Sequence, residues 1–197
     1  MDLTLNRKFR ILYSVEIHIK SYKGYKMNKR KRSATMKVIF LDIDGVLVTE
    51  SHLTTLNKSG KRMTDSTGRH LFSPECVENL RKILDVTGAK IVLSSAWRMF
   101  GKAVFIQMWN DRKMPGEIID FTPDLHHGRG VEIVDWLNLP ITHRHDIVDS
   151  FVIIDDCISD MMIGQLPRIV KTTWLNGLTA EHADAAIQIL NKSVDED

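Results

Sequence analysis

The chain has 197 residues, of which 43% are hydrophobic, so it can bury one hydrophobic core but is short for two domains. Its formal net charge of +2 conceals two opposite parts, because residues 1–35 carry a net charge of +8 and residues 36–197 a net charge of −6. No apolar run approaches the roughly 20 residues that span a bilayer, and charged residues interrupt the N-terminal apolar stretch, which excludes a convincing signal peptide. Two cysteines, Cys76 and Cys157, make no disulfide framework, and we expect a reducing, cytoplasmic location.

Residues 1–35 are predicted to be a basic N-terminal extension, disordered by itself, that precedes a single domain at residues 36–197. The extension is polar and basic without an apolar period over residues 20–32. One interpretation is an arm that attracts nucleic acid. The other is a merely solvated extension, which is the more common meaning of a charge run.

From residue 36 onwards, short apolar runs alternate with helical patterns. Ser73 and Pro74 are typical of a helix start, and Gly88 of its end. Thr179 is predicted to cap a last helix that runs to about Leu190. A further helix is predicted over residues 129–137, with Val131, Val134 and Leu137 facing inward and Pro140 beyond its end. Strands are predicted at residues 37–41, 91–93, 118–121, 151–154 and 168–171.

The predicted strands are apolar throughout rather than alternating, which indicates a sheet buried on both faces. Together with the alternation of strands and helices, this predicts an α/β fold. We expect a three-layer α/β/α, Rossmann-like core with a mostly parallel sheet.

Polar side chains follow three of these strands, and in a parallel sheet the carboxyl ends of the strands form the edge where ligands bind. The residues in question are Asp42 with Asp44 and Gly45, then Ser94 with Ser95, and Asp155 with Asp156, with Asp160 close behind. Carboxylates that converge at one edge repel each other and raise their own pKa values, and a hard divalent cation such as Mg²⁺ relieves this.

Alternative roles for these acids fit the sequence less well. Turn residues and helix caps would account for one acidic pair, but not for two pairs that each close an apolar strand. A calcium-binding EF-hand loop is excluded, because its twelfth position, counted from Asp42, is Leu53 instead of Glu. The chain also lacks the glycine-rich P-loop signature of nucleotide-binding enzymes.

These residues resemble three motifs of the haloacid dehalogenase (HAD) superfamily, in the right order and spacing, over about residues 36–191. The first motif is Asp42-Ile-Asp44-Gly45-Val46, the second ends in Ser94-Ser95 and the fourth ends in Asp155-Asp156. Within the superfamily, three segments look similar to the HAD domain of the Swiss-army-knife RNA-repair group: Ser94-Ser95-Ala-Trp97-Arg98, Arg129-Gly-Val-Glu-Ile and Val170-Lys-Thr…Gly177-Leu-Thr.

The resemblance implies a magnesium-dependent phosphatase. Asp42 would attack phosphorus and form an aspartyl-phosphate, and Asp44 would protonate the leaving oxygen and later take a proton from water. Mg²⁺ would be held by Asp42, the Asp44 backbone carbonyl, Asp156 and, directly or through water, Asp155. The second acid, Asp44, favours a phosphatase over a dehalogenase.

Two phosphate-binding groups are also implied. Ser95 aligns best with the hydroxyl of the second motif, with Ser94 as the alternative. The third motif normally supplies a lysine, but no lysine lies between Lys113 and Lys171. Arg129 is the candidate replacement and Arg144 the fallback, because a guanidinium can hold a phosphate through two hydrogen bonds.

The histidines and two residues after the second motif are weaker candidates. The histidines and cysteines have no spacing typical of a zinc site, so a loop origin is favoured for His126, His127, His143 and His145. Trp97 and Arg98 could stack on or clamp a nucleotide, but such residues more often serve in packing or in a surface ion pair.

The insertions that serve as substrate caps in HAD phosphatases are short here. The first covers residues 49–72 and the second residues 99–123, so we expect a small flap and no cap domain. An open site of this kind favours a phosphomonoesterase that acts on a nucleic-acid end or a nucleotide. A phosphatase of small metabolites, such as sugar phosphates, is the alternative, and a catalytically silent HAD-like interaction module is disfavoured because both first-motif carboxylates are intact.

Overall fold

The computed structural model of the protein describes residues 35–139 and 147–192. Three predictions fall on residues outside these ranges: the basic N-terminal extension, the helix stop at Pro140, and the assignments of Arg144, His143 and His145. The division into an extension and one domain therefore stays a prediction.

Strands and helices alternate along the described residues. The strands are β1 (Thr35–Leu41), β2 (Lys90–Leu93), β3 (Ile118–Phe121), β4 (Ile147–Asp155) and β5 (Ile169–Lys171). The α-helices are α1 (Glu50–Lys58), α2 (Pro74–Thr87), α3 (Lys102–Asp111), α4 (Arg129–Leu137) and α5 (Ala180–Asn191), and two 3₁₀ helices span Ala96–Phe100 and Ile163–Arg168.

Within the described ranges the five strands form one sheet in the order β3-β2-β1-β4-β5, and every pair is parallel. The register aligns the carboxyl ends of the three central strands, since Leu41 lies opposite both Leu93 and Ile154. This architecture confirms the predicted α/β Rossmann-like core. It also places the residues that follow β1, β2 and β4 side by side.

Both faces of the sheet are covered by helices. Side chains of β1 alternate between the faces: Ile39 and Leu41 belong to one hydrophobic cluster, and Val38 and Phe40 to another. The first cluster includes buried residues of α2, α3 and α5. The second includes α4, where Trp136 packs edge-on against Phe40 with 5.4 Å between the ring centroids. The continuous apolar strands are explained by this two-sided burial.

The helix signals in the sequence are confirmed, with one shift of the inward face. Gly88 ends α2 with a φ of 65°, and the Thr179 side chain accepts the backbone N–H of His182 at the start of α5. In α4, Val134 is buried as predicted, but the fully buried centre of the helix is Ile133 and Trp136, while Val131 and Leu137 are only partly buried. Among the described helices, none has the length and apolarity required to cross a membrane.

The first insertion folds into α1 and a short hairpin, as a small flap instead of a domain. Thr49 caps α1 by accepting the His52 N–H at 3.2 Å, but α1 has no buried residue, so it lacks the apolar period by which a helix is recognised. We call residues 59–72, which follow it, the flap. An antiparallel bridge between Thr64 and His70 closes the flap.

Candidate active site

Backbone hydrogen bonds fasten the chain just beyond three strands. The N–H of Asp42 donates to the carbonyl of Ile154 at 3.0 Å, and the N–H of Ser94 donates to the carbonyl of Leu41 at 2.9 Å. The N–H of Thr172, after β5, donates to the carbonyl of Asp155 at 3.0 Å. Because these bonds continue the sheet ladder, the polar side chains at its edge are held on a rigid frame.

Three carboxylates meet at this edge: Asp42, Asp155 and Asp156 each offer an oxygen, and these oxygens lie within 4.8 Å of one another. Asp42 is 6% exposed and Asp155 is fully buried. Burial, followed by the charge of Asp42, raises the pKa of Asp155 to about 7 despite the nearby Arg129. The same two causes raise the pKa of Asp156. A divalent cation with oxygen ligands fits this donor set, since it would offset the repulsion between the carboxylates.

Arg129, at the first turn of α4, joins two of these carboxylates. Its Nη1 donates to Asp42 Oδ2 at 2.6 Å and also to Asp155 Oδ2. Burial would lower the pKa of Arg129, but the charges of Asp42 and Asp155 outweigh it and raise this pKa, so the guanidinium stays charged. Among the described residues, Arg129 is the one cation paired with this cluster, and it contacts two of the three carboxyl groups.

Asp160 lies outside the carboxylate cluster and instead fastens the start of α4. Its Oδ2 accepts the backbone N–H of Arg129 at 2.8 Å, and its carbonyl accepts the N–H of Gly130 at 3.2 Å. A Cβ on Gly130 would lie 2.7 Å from Gln165 Oε1, so this close approach needs glycine. The sequence grouped Asp160 with the converging acids, whereas the structure shows it positioning the arginine.

Asp44 faces Trp97, whose Nε1 donates to Asp44 Oδ2 at 2.9 Å. Burial raises the pKa of Asp44 above its ordinary value. The Trp97 hydrogen bond opposes this rise, the charge of Asp42 adds to it, and the charges of His70 and Arg129 oppose it. A carboxyl with a raised pKa is suited to hold and release a proton.

Gly45 turns the chain after the two acids with a φ of 71°, and the Thr172 hydroxyl donates to its carbonyl at 2.7 Å. A Cβ at Gly45 would stand 2.2 Å from Asp156 Oδ2. Glycine therefore allows the Asp156 carboxylate to approach the turn that carries Asp42 and Asp44.

The two serines after β2 are both buried but differ in their partners. Ser95 begins the 3₁₀ helix Ala96–Phe100, and its Oγ accepts the Trp97 N–H at 3.4 Å. The Oγ of Ser94, 1% exposed as a residue, has no hydrogen-bond partner within the described part of the chain. A buried hydroxyl without a partner is costly unless a ligand satisfies it.

Trp97 and Arg98 have structural roles instead of open faces for a nucleotide. Trp97 is 7% exposed and packs its ring against Phe72 and other aromatic residues. Arg98 Nη1 lies 2.7 Å from Glu132 Oε2 and donates to Thr122 Oγ1 at 2.9 Å. The buried Glu132, which sequence reasoning missed, thereby ties the second motif to helix α4. An acid among the apolar residues of that helix was the available signal.

Comparison with known proteins gives one family match. Residues 38–183 match the family described as the HAD domain in Swiss Army Knife RNA repair proteins. No curated protein and no solved structure matches the chain. The matched segment includes the carboxylate cluster described above and the whole sheet except the first three residues of β1. The chain belongs to the family of HAD domains in Swiss Army Knife RNA repair proteins, and thus to a superfamily of hydrolases and phosphatases.

Proposed function

We propose that this protein is a magnesium-dependent phosphomonoesterase that works through an aspartyl-phosphate and acts on a nucleic-acid end or a nucleotide. The observation that carries the proposal is the convergence of Asp42, Asp155 and Asp156 on one sheet edge, with Arg129 between two of them. Membership of the HAD family supports the same chemistry.

Asp42 is the proposed nucleophile and Asp44 the proposed proton donor and acceptor. An Asp42 carboxylate oxygen bonds to phosphorus while the ester P–O bond breaks, and Asp44 gives its proton to the leaving oxygen. Water then attacks the phosphorus of the aspartyl-phosphate and loses a proton to Asp44, which releases phosphate and restores Asp42. The raised pKa of Asp44 supports the first of these roles.

The side chains of Asp42, Asp155 and Asp156, with the backbone carbonyl of Asp44, are the proposed metal ligands. Bound Mg²⁺ would supply positive charge that offsets the repulsion between Asp42 and the phosphate dianion. The donors are oxygens, as Mg²⁺ prefers, and the three clustered carboxyl groups outnumber the single guanidinium of Arg129, which pairs with two of them.

Arg129 is proposed to bind the phosphate in addition to its contact with Asp42. It would thereby replace the lysine that the third motif normally supplies. Its Nη1 donates to Asp42 Oδ2, so the guanidinium lies beside the carboxylate that a phosphate would approach. For the hydroxyl, the unpartnered Ser94 Oγ fits better than Ser95, whose Oγ already accepts the Trp97 N–H.

We expect Ser94→Ala to lower kcat/KM by roughly 10- to 100-fold, because a hydrogen bond to the charged phosphate is lost. Its thermal stability is expected to be unchanged, since the lost hydroxyl has no partner within the protein's described residues. Ser95→Ala is expected to lose about 1 kcal/mol of stability, because the helix cap is removed, and to change kcat/KM only slightly. Steady-state kinetics and thermal melts of both variants test this, and a larger kinetic loss in Ser95→Ala would restore Ser95 as the phosphate ligand.

The function itself is tested by phosphate release from an aryl phosphate after chelation and after addition of Mg²⁺. We expect release with Mg²⁺ only, and a rise of a few degrees in the melting temperature as Mg²⁺ is added, because an ion that binds the folded state stabilises it. Asp156→Asn is expected to weaken both effects. Asp149→Asn, an exposed acid near the amino end of β4, is the matched control. Equal release with and without Mg²⁺ would contradict the proposal.

The substrate class is tested with oligonucleotides phosphorylated at the 3′ or the 5′ end, nucleotides and sugar phosphates. The short flap, which leaves no cap domain over the described site, favours a large substrate. A preference for sugar phosphates would instead indicate a phosphatase of small metabolites.

A further inference from the structure

A continuous chain of contacts leads from Asp44 outward to the protein surface. Trp97, which donates to Asp44, packs edge-on against Phe100 with 5.7 Å between the ring centroids. The Phe100 ring in turn carries the guanidinium of Arg69, with 4.4 Å from Cζ to the ring centroid. Phe100 is 44% exposed, so an accessible aromatic ring paired with a guanidinium lies two side chains away from the proposed proton donor.

Hydrogen bonds within the flap fix the backbone and the side chain of Arg69. Asp65 Oδ1 accepts the N–H of Thr67 at 2.8 Å and that of Arg69 at 3.1 Å, and Asp65 Oδ2 accepts Arg112 Nη2 at 2.6 Å. Arg69 Nη1 also donates to Thr67 Oγ1 at 2.7 Å. Because the backbone and the guanidinium are both fastened, little conformational entropy remains to be lost when a ligand stacks on this surface.

The charge of the flap is opposite to that of the rest of the domain. The flap has three cationic side chains and one acidic side chain, Asp65; the cationic ones are Lys61, Arg62 and Arg69. Residues 36–197 as a whole carry a net charge of −6. Lys61 and Arg62 are exposed. A positive segment beside the site attracts a ligand that carries negative charge beyond the phosphate to be cleaved.

We propose that Arg69 and Phe100 form a stacking site for the nucleobase next to the scissile phosphate. The proposal rests on the phosphatase function given above and adds the part of the substrate that is recognised. In the proposed reaction the leaving oxygen takes its proton from Asp44, so the leaving group lies beside the Asp44 carboxyl. Trp97 contacts both Asp44 and Phe100, which places the Phe100 ring on the same side of the site as the leaving group. A guanidinium plane and an aromatic ring are surfaces on which nucleobases stack.

The test compares substrates that differ only in one base. Oligonucleotides with a terminal phosphate, at whichever end is cleaved, are paired with the same oligonucleotides whose terminal nucleotide is abasic. For the wild-type protein we expect a higher kcat/KM on the strand with the base. For Phe100→Leu and for Arg69→Lys we expect kcat/KM on that strand to fall about tenfold, the scale of a lost base stack, with less than a twofold change on the abasic strand.

Two control variants separate stacking from general effects. Arg81→Lys makes the same change at a surface arginine of α2 that is ion-paired with Glu78. Trp174→Leu removes another exposed aromatic ring, in the loop after β5. We expect both controls to keep the wild-type preference for the strand with the base. The abasic strand reports on folding and on the chemistry of each variant.

Each outcome has a distinct meaning. If the wild-type protein cleaves both strands equally well, the phosphatase function stands and the stacking site is refuted. If Trp174→Leu loses the preference and Phe100→Leu keeps it, the base lies elsewhere and the assignment to Arg69 and Phe100 is wrong. If neither strand nor an aryl phosphate is cleaved, the phosphatase function fails and the stacking site fails with it.

Discussion

Replacing Asp42 by asparagine is expected to reduce phosphate release by on the order of 10³-fold or more, because an amide cannot form the aspartyl-phosphate. The fold is expected to persist, since the asparagine side chain has the same shape and its oxygen can still accept the Ile43 N–H that Asp42 Oδ1 accepts at 2.7 Å. Some stability is expected to be lost, because the amide nitrogen cannot accept the hydrogen bond that Arg129 Nη1 donates to Asp42 Oδ2. Phosphate release from an aryl phosphate with Mg²⁺, at matched protein concentration, measures the effect.

Asp85→Asn is the matched control for Asp42→Asn. Asp85 is an exposed acid on α2, away from the sheet edge, so its replacement is expected to leave the rate unchanged. Mass spectrometry of acid-quenched protein adds a second readout, in which a phosphorylated species appears for the wild type and not for Asp42→Asn. Undiminished release from Asp42→Asn would remove Asp42 as the nucleophile.

Replacing Arg129 by methionine is expected to have two separate effects. Without its guanidinium, Asp42 and Asp155 remain as buried carboxylates without their ion-pair partner, at a cost of about 3 kcal/mol in the metal-free protein. With Mg²⁺ present, part of this loss is expected to return, because the cation offsets the same repulsion. Denaturant unfolding with and without Mg²⁺ measures both quantities.

The kinetic effect of Arg129→Met is expected to be a fall in kcat/KM of about 10²-fold or more, because a charged group that binds the phosphate is lost. Arg129→Lys keeps the charge and is expected to recover part of the rate and of the stability. Arg81→Met, which breaks a surface ion pair, is expected to cost at most about 1 kcal/mol. Full activity of Arg129→Met would exclude Arg129 from phosphate binding and leave Arg144 as the candidate.

Much of the fold could be predicted because its signals are local. Strand β1 is an apolar, β-branched run that a sheet buried on both faces requires, and it ends at the residue before Asp42. Gly88 and Thr179 mark helix ends through backbone conformation and capping, which depend on neighbouring residues alone. Helix α1 was not predicted, because none of its residues is fully buried and Leu53 packs only partly against the core, so the helix has no clear apolar period.

Some features of the candidate site could likewise be predicted from the sequence, and others could not. Parallel strands bring their carboxyl ends to one edge, so the pattern of strands predicted Asp42, Asp155 and Asp156 at the same edge. That their carboxylates meet depends on the sheet order, which places β4 directly beside β1 although the two strands are far apart in the chain. Whether Ser94 or Ser95 offers a free hydroxyl did not follow, because the two are adjacent and the difference arises from the 3₁₀ turn that Ser95 caps. The position of Asp160 was equally open, since a separation of four residues does not say which way a loop turns.

The sequence by itself determined which residues stand at the ends of the strands, and with them the carboxylates of the site. That follows because strand patterns and turn residues are read over a few neighbouring positions. Only the tertiary structure decided which of these side chains touch: Arg129 between Asp42 and Asp155, Trp97 on Asp44, and Arg69 over Phe100. These contacts join residues far apart in the chain, and packing of the helices and the flap against the sheet sets their distances.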